Sequence, residues 1–231
     1  MVITTEIEKN SMNVKEYRGV LQSVGLFNGI EAAELETMLG CIGAEIKSVG
    51  KGEIILLAGD RPQHVGIALT GQLHIIREDY DGNRSLLAAI AGGEIFAEAL
   101  CCAGVSESPV TVVAESDSIV MLLNFSRILR TCRNSCSFHT KLIENMLSLI
   151  AKKNIMLQSR MELVSLKSVR AKVLRYLESF AQIQGREITI PFNREELADF
   201  LCVERSALSH ELARMKRDGL IEYRKNVFML H

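Results

Sequence analysis

Near the C-terminus the chain carries the run Glu204-Arg205-Ser206-Ala207-Leu208-Ser209-His210-Glu211-Leu212-Ala213-Arg214-Met215. Ala207, Leu208, Leu212 and Met215 recur at helical spacing and form one apolar face, leaving Arg205, Ser206, Ser209 and His210 on the other. Those four suit the edges of paired bases. An arginine can meet two guanine acceptors, a serine approaches base edges or phosphate closely, and a histidine donates or accepts according to its tautomer. Arg214, Lys216, Arg217, Arg224 and Lys225 follow as candidate phosphate contacts, which orient a reader without reading sequence. The alternative is a solvated amphipathic helix with no partner.

Thiols and imidazoles form a second chemically capable set. The six cysteines are Cys41, Cys101, Cys102, Cys132, Cys136 and Cys202, too scattered for a disulfide scaffold, so reduced thiols in a cytoplasmic setting are expected. Cys132 and Cys136 share a face if helical, and Cys101-Cys102 are adjacent. Either pair could serve as a redox couple or soft-metal site, or could be small buried hydrophobes. His64, His74 and His139 are candidate haem ligands, but isolated histidines are more often structural. A cupin-like metal enzyme would want a His-x-His pair with a carboxylate, and His64 and His74 stand ten apart.

A groove-reading helix must be held by its neighbours. Asn193 can cap a preceding helix, and Glu196 completes a capping box. Leu197, Ala198 and Leu201 are that helix's inward residues, and Cys202-Val203 supplies a turn. Upstream, Gly185 suits the end of a helix spanning Lys167 to Gln182, and Ile188 to Pro191 reads as an edge strand. Downstream, Leu220 to Tyr223 and Val227 to Leu230 alternate around Arg224-Lys225-Asn226, which describes a hairpin wing with a basic tip. Helix, turn, helix and wing in this order build a reader of the DNA major groove.

Further upstream, Ser126 to Arg130 reads as a short helix and Ser137 to about Met161 as a long one. Ile143, Leu147, Ile150, Asn154, Leu157, Met161 and Val164 alternate four- and three-residue spacings, as in a coiled-coil seam, with Asn154 suited to fixing register. A second stripe, Leu142, Met146, Leu149 and Met156, would lie against the N-terminal half. Periodicity alone leaves open whether both stripes enter one monomer core. Glu162 to Leu166 leads into the next helix without a Gly/Pro linker, so a hinge is expected at about Leu163 to Ser168.

The N-terminal half opens with a helical stretch, Val14 to Cys41, then changes to period two. Candidate strands at Glu45–Val49, Ile54–Leu57, Val65–Leu69, Leu73–Ile76, Leu86–Ile90, Thr111–Ala114 and Ser118–Leu123 are separated by glycine-bearing turns. Short strands at roughly ten-residue spacing mean an antiparallel sandwich or barrel. Charge divides accordingly: residues 1–125 hold 8 Lys+Arg against 17 Asp+Glu, and residues 126–231 hold 19 against 11. The basic half is the one that would meet phosphates. No apolar run reaches the ~18 residues of a membrane span, and Met1 to Met12 does not read as a secretory signal.

Lys51-Gly52-Glu53, Gly71-Gln72-Leu73, Asp81-Gly82-Asn83 and Gly93-Glu94-Ile95-Phe96-Ala97-Glu98-Ala99-Leu100 resemble the β-roll of cyclic-nucleotide-binding domains. With the helix-turn-helix behind it, the chain from about Val20 to His231 resembles the CRP/FNR family of bacterial transcription regulators. The resemblance implies an α+β fold: an antiparallel β-roll of the double-stranded β-helix type over 1–125, a short helix and a long dimerisation helix over 126–164, and a winged helix-turn-helix over 165–231. It implies a homodimer on a near-palindromic operator in double-stranded DNA, RNA polymerase as a further partner, a small-molecule effector, and neither membrane nor required cofactor. The seam would be Ile143, Leu147, Ile150, Asn154, Leu157 and Met161. The DNA contacts would be Arg205, Ser206, Ser209, His210, Arg214, Arg224 and Lys225. Many relatives carry arginine where His210 stands and glycine where Cys202 stands.

The effector pocket would involve Glu98, Ala99, Cys101, Cys102, Ser108 and Pro109. In the cyclic-nucleotide branch a glutamate holds the ribose and an arginine ten residues later pairs the phosphate. Glu98 matches the glutamate, but Ser108 stands where that arginine would be, which points away from cyclic AMP and leaves the effector unidentified. The closely spaced N-terminal cysteines of the iron–sulfur branch are absent, since Cys41 is the first and stands alone. The reading is therefore a non-enzymatic, effector-controlled, sequence-specific DNA-binding regulator. Thiol or metal sensing through Cys101/Cys102 or Cys132/Cys136 is its alternative.

Overall fold

The computed structural model describes residues 14–79, 81, 82, 84–130 and 137–231. Asn83, Cys132, Cys136 and the stretch Met1 to Met12 lie outside the described residues. By its contacts the chain divides into two compact units, Met1–Ala151 and Lys152–His231, so the division falls inside the long helix.

The first unit opens with α1 (Arg18–Ser23), a 3-10 turn (Gly25–Phe27) and α2 (Ala32–Cys41), so the expected helical opening is broken in the middle. Then come β1 (Glu45–Val49), β2 (Ile54–Leu56), β3 (His64–Thr70), β4 (Gln72–Glu78), β5 (Arg84–Ala91), β6 (Ile95–Phe96), α3 (Glu98–Ala103), β7 (Thr111–Ala114), β8 (Ser118–Asn124) and α4 (Phe125–Leu129). The strands form two four-stranded antiparallel sheets, ordered β1-β8-β3-β6 and β2-β7-β4-β5. Each anticipated strand is present. The two-residue β6 and six-residue α3 were not anticipated, because neither is long enough for its pattern to repeat twice.

Two cores fill this unit. One joins Leu21, Leu26, Met38, Leu39 and Ile42 of the helical opening to Val65, Ile67, Leu69, Met121 and Leu123 of the first sheet. The other lies inside the roll: Val49, Ala68, Leu73, Phe96, Val112, Ala114 and Val120. The Phe96 ring lies on Gly66, whose missing side chain makes the room it occupies.

The long helix α5 (Ser137–Ser165) packs Phe138, Leu142 and Met146 into the first core. Asn145 Nδ2 donates to the Leu26 and Asn28 carbonyls at 2.9 and 2.8 Å. Leu142, Met146 and Leu149 therefore meet the roll unit as expected. Met156 does not, and this corrects the second stripe. Every residue from Ala151 to Glu162 is exposed, Met156 among them at 71%. Of the anticipated seam, Ile143 and Ile150 lean on the first core, whereas Leu147, Leu157 and Met161 are 62–69% exposed and Asn154 is exposed. A single monomer core does not absorb both stripes.

The second unit continues through α6 (Val169–Gln184), β9 (Glu187–Thr189), α7 (Arg194–Phe200), α8 (Arg205–Arg217), β10 (Ile221–Arg224) and β11 (Val227–Leu230). Ser168 caps α6 by accepting from the Ala171 amide at 3.1 Å, so helix is interrupted between Ser165 and Val169, where the hinge was expected. The sheet order is β10-β11-β9, and Pro191 lies past the end of β9 rather than in it. Leu163, Val173, Leu177, Ile188, Leu197, Leu201, Leu208, Leu212, Met215 and Phe228 make one core.

Gly66→Ala should destabilise the first unit by about 1–3 kcal/mol, because the added carbon overlaps the Phe96 ring in a filled interior. Gly50→Ala, which meets nothing within 4 Å, should stay within about 0.5 kcal/mol. Urea denaturation followed by circular dichroism separates the two.

Candidate functional site

Helix α8 buries Leu208, Leu212 and Met215 completely and leaves Arg205, Ser206, Ser209 and His210 exposed on its other side. The Ser209 hydroxyl is not idle: it donates to the Arg205 carbonyl one turn back, at 2.9 Å. Arg214 lies further along the helix with Nη1 3.4 Å from Glu211 Oε2, and Arg217 is exposed. Arg224 and Lys225 are exposed at the hairpin tip, where Lys225 takes a left-handed backbone (φ 55°).

The elements around α8 account for its placement. The α7 capping box forms: Asn193 Oδ1 accepts from the Glu195 and Glu196 amides at 2.9 and 3.0 Å, and Glu196 accepts from the Asn193 amide at 2.7 Å. The turn into α8 runs through Cys202 at φ 50°, a conformation that costs a side-chain-bearing residue about 1 kcal/mol and explains why glycine suits the position. Lys172 of α6, itself buried, steadies this turn by donating Nζ to the Leu201 carbonyl at 2.9 Å and the Cys202 carbonyl at 3.4 Å. Arg170, two residues earlier, binds two acids at once. Its Nε meets Glu211 Oε1 at 2.5 Å, and its Nη2 meets Asp218 Oδ2 at 2.7 Å.

The wing is tied down as well. Asn226 exchanges bonds with Ile190, and the Arg194 guanidinium lies over the Tyr223 and Phe228 rings at 5.2 and 5.6 Å while donating to the Lys225 carbonyl at 3.4 Å. Burial pulls the Arg194 pKa below the usual arginine value. Sequence reading missed Arg170, Lys172 and Arg194. Their partners lie 29 to 48 residues away in the chain, and no local period marks them.

In the first unit the anticipated effector residues differ in exposure. Ala99, Cys102 and Pro109 are exposed. Glu98 and Ser108 are buried, with the Ser108 hydroxyl donating to the Val110 carbonyl at 2.7 Å and its backbone bonded to Gly59 and Asp60. Cys101 is buried, and burial, with Cys102 and Glu98 nearby, pushes its thiol up to about 11. Burial and Glu98 also raise the Cys102 thiol. Of the six, only Cys101 lines a described cavity, a cleft of about 390 Å³ shared with Arg61, Gln63, Asn124 and Phe125. His64 is half-buried on β3. His74, on the other sheet, pairs with Glu115 at 3.4 Å. His139 is buried with Nε2 3.9 Å from Cys41 Sγ. Among the described residues no three metal-ligating side chains gather, and no helix is long and apolar enough to cross a membrane.

Two family models match in the order the fold displays: the cyclic nucleotide-binding domain over residues 46–135 and the Crp-like helix-turn-helix domain over residues 171–231. The chain belongs to the CRP/FNR family. No curated protein matches it in sequence. Among solved structures, the catabolite activator protein of Thermus thermophilus is 21% identical, with 90% of this chain and 93% of that one covered at TM-score 0.52. DNR from Pseudomonas aeruginosa is 19% identical, with 93% of each chain covered at TM-score 0.50. The c-di-GMP-responsive regulator CLP of Xanthomonas campestris is 16% identical, covering 87% and 99% at TM-score 0.52. At these identities the likeness speaks for the fold.

As a CRP/FNR-family regulator, the protein carries its DNA-binding helix-turn-helix in the second unit, with α8 as the second helix of that motif. Arg170→Gln should weaken DNA binding roughly tenfold by leaving Glu211 and Asp218 uncompensated beside that helix. Adding Glu211→Gln should recover part of the loss. Fluorescence anisotropy on the four members of this cycle checks both outcomes.

Proposed function

We propose that the protein is a homodimeric, effector-controlled transcription regulator that reads a near-palindromic operator through Arg205, Ser206, Ser209 and His210. The carrying observation is α8 itself: one face fully buried, and the opposite face offering polar and cationic groups to solvent, with Ala213 the small exception. Arg214, Arg224 and Lys225 supply phosphate contacts around it. Two-fold symmetry places half-site centres roughly 34–36 Å apart. RNA polymerase is the further partner that this reading implies.

Support for the dimer comes from Leu147, Leu157 and Met161, large apolar side chains lying open at seam spacing with Asn154 among them. The effector reading points away from cyclic AMP, because Ser108 donates to the Val110 carbonyl and supplies no positive charge for a cyclic phosphate. Thiol sensing through Cys101/Cys102 is disfavoured because both thiols are raised, and the nucleophile in such chemistry is the thiolate. The enzyme alternative gains nothing from His64 and His74, which lie on different sheets.

An unbiased DNA selection tests the reading. Arg205→Ala should relax preference at one base pair per half-site, at a cost of about 1–3 kcal/mol. Lys225→Ala should instead weaken all sequences alike and reduce the salt slope by about one. Equal weakening across sequences by Arg205→Ala would remove its base-reading role. In sedimentation the wild type should run as a dimer at micromolar concentration and Leu157→Asp as a monomer. A stable wild-type monomer, with and without DNA, would defeat the symmetric reading.

A further inference from the structure

The first unit is acidic overall, yet one of its clefts is not. The cavity of about 390 Å³ beside α3 and α4 is lined by Arg61, Pro62, Gln63, Cys101, Gly104, Val105, Asn124, Phe125 and Ser126, with no carboxylate among them. Among the described residues the Arg61 side chain makes no ion pair or hydrogen bond, so its five donors are uncommitted. Asn124 Oδ1 is already occupied, accepting from the Ser126 hydroxyl at 2.8 Å and the Arg127 amide at 3.2 Å. That leaves its amide hydrogens as what it can offer a ligand, and Gln63 adds a second amide. The remaining wall is apolar: Phe125, Val105, Pro62 and the Cys101 thiol, which burial keeps protonated at neutral pH.

Charge and shape together select a ligand class. One guanidinium balances one negative charge and matches a carboxylate with two parallel bonds, whereas a phosphate dianion would call for further cations. The volume lies at the small end of the range for small-molecule sites, and the apolar wall needs a body to cover it. We propose that this cleft binds a small organic carboxylate, its head on Arg61 with Gln63 and Asn124 alongside, and its apolar body against Phe125 and Val105. In the family's cyclic-nucleotide branch the anion-pairing residue stands ten positions after the glutamate. Here an uncommitted guanidinium, Arg61, stands on the turn whose Gly59 and Asp60 backbones bond to Ser108. A neighbouring cleft of about 190 Å³ also touches Arg61, but Asp60 lines it and disfavours an anion there. As an effector site the cleft rests on the effector-controlled reading above.

The test is calorimetric titration of the full-length protein with benzoate and hexanoate, and with benzamide and hexanamide as their uncharged counterparts. Both carboxylates should bind, and each amide should bind at least about tenfold more weakly, the scale of one charge-assisted hydrogen bond. Arg61→Gln should erase the difference between acid and amide. Arg61→Lys should keep part of it, since the charge survives while the planar fork is lost. Val105→Phe, which fills the cleft from its apolar side, should weaken acids and amides together. The site is overturned if neither carboxylate binds, if acid and amide bind the wild type alike, or if Arg61→Gln binds the carboxylates as tightly as the wild type. Wild-type DNA selection keeps the two failures apart. If an operator is enriched while both carboxylates fail, only the cleft assignment falls. If no sequence is enriched, the regulator reading falls and takes the effector role with it.

Discussion

Arg170 and Lys172, two residues apart on α6, grip α8 at separate points. Lys172 ties down the turn where α8 begins, and Arg170 pins Glu211 in its middle and Asp218 at its end. An ammonium as buried as that of Lys172 is tolerable only because carbonyls receive its hydrogens. The same arrangement holds those carbonyls in a turn whose backbone is strained at Cys202. Arg170 plays a second part. It neutralises Glu211 on α8 and Asp218 at its C-terminal cap, leaving the remaining charge of that helix positive. Helix α8 thereby inherits its orientation from α6. Since α6 starts from a capped break only a few residues after α5, any reorientation of α6 would carry α8 with it.

The long helix shows how one element serves two neighbourhoods. Its first turns are committed to the roll unit through Leu142, Met146 and Asn145, and Leu163 near its end belongs to the core of the second unit. Between them the side chains face solvent. Apolar groups left open at regular spacing on such a stretch are unusual for a helix with no partner, which is why the symmetric pair is the economical reading.

Much of this was legible in the chain. Glycine turns delimited the strands, since turn residues announce themselves locally. The Asn193 capping box, the buried face of α8 and the wing were readable because each involves residues within a few positions of one another. What sequence could not show was long-range pairing. Arg170 with Glu211, Lys172 with Leu201, and Arg194 with the Lys225 carbonyl and the wing's rings all depend on tertiary placement. The start of α3 escaped notice for another reason. Its entry residue is Ala97 at φ 60°, a conformation normally flagged by glycine. Met156 was misplaced because helical period says which face a residue is on, not how far along the helix a neighbour extends.

Ser209 carries a subtler consequence. Its hydroxyl proton is spent on the Arg205 carbonyl, so what the oxygen presents outward is electron pairs alone. In that state it is complementary to an exocyclic amino group, found on adenine and cytosine in the major groove, and mismatched to the O6 and N7 edge of guanine. Arg205, one turn earlier, has the opposite polarity. In the proposed reading of the operator, the two side chains would therefore seek chemically opposite base edges, a polarity contrast that a single intrahelical bond imposes.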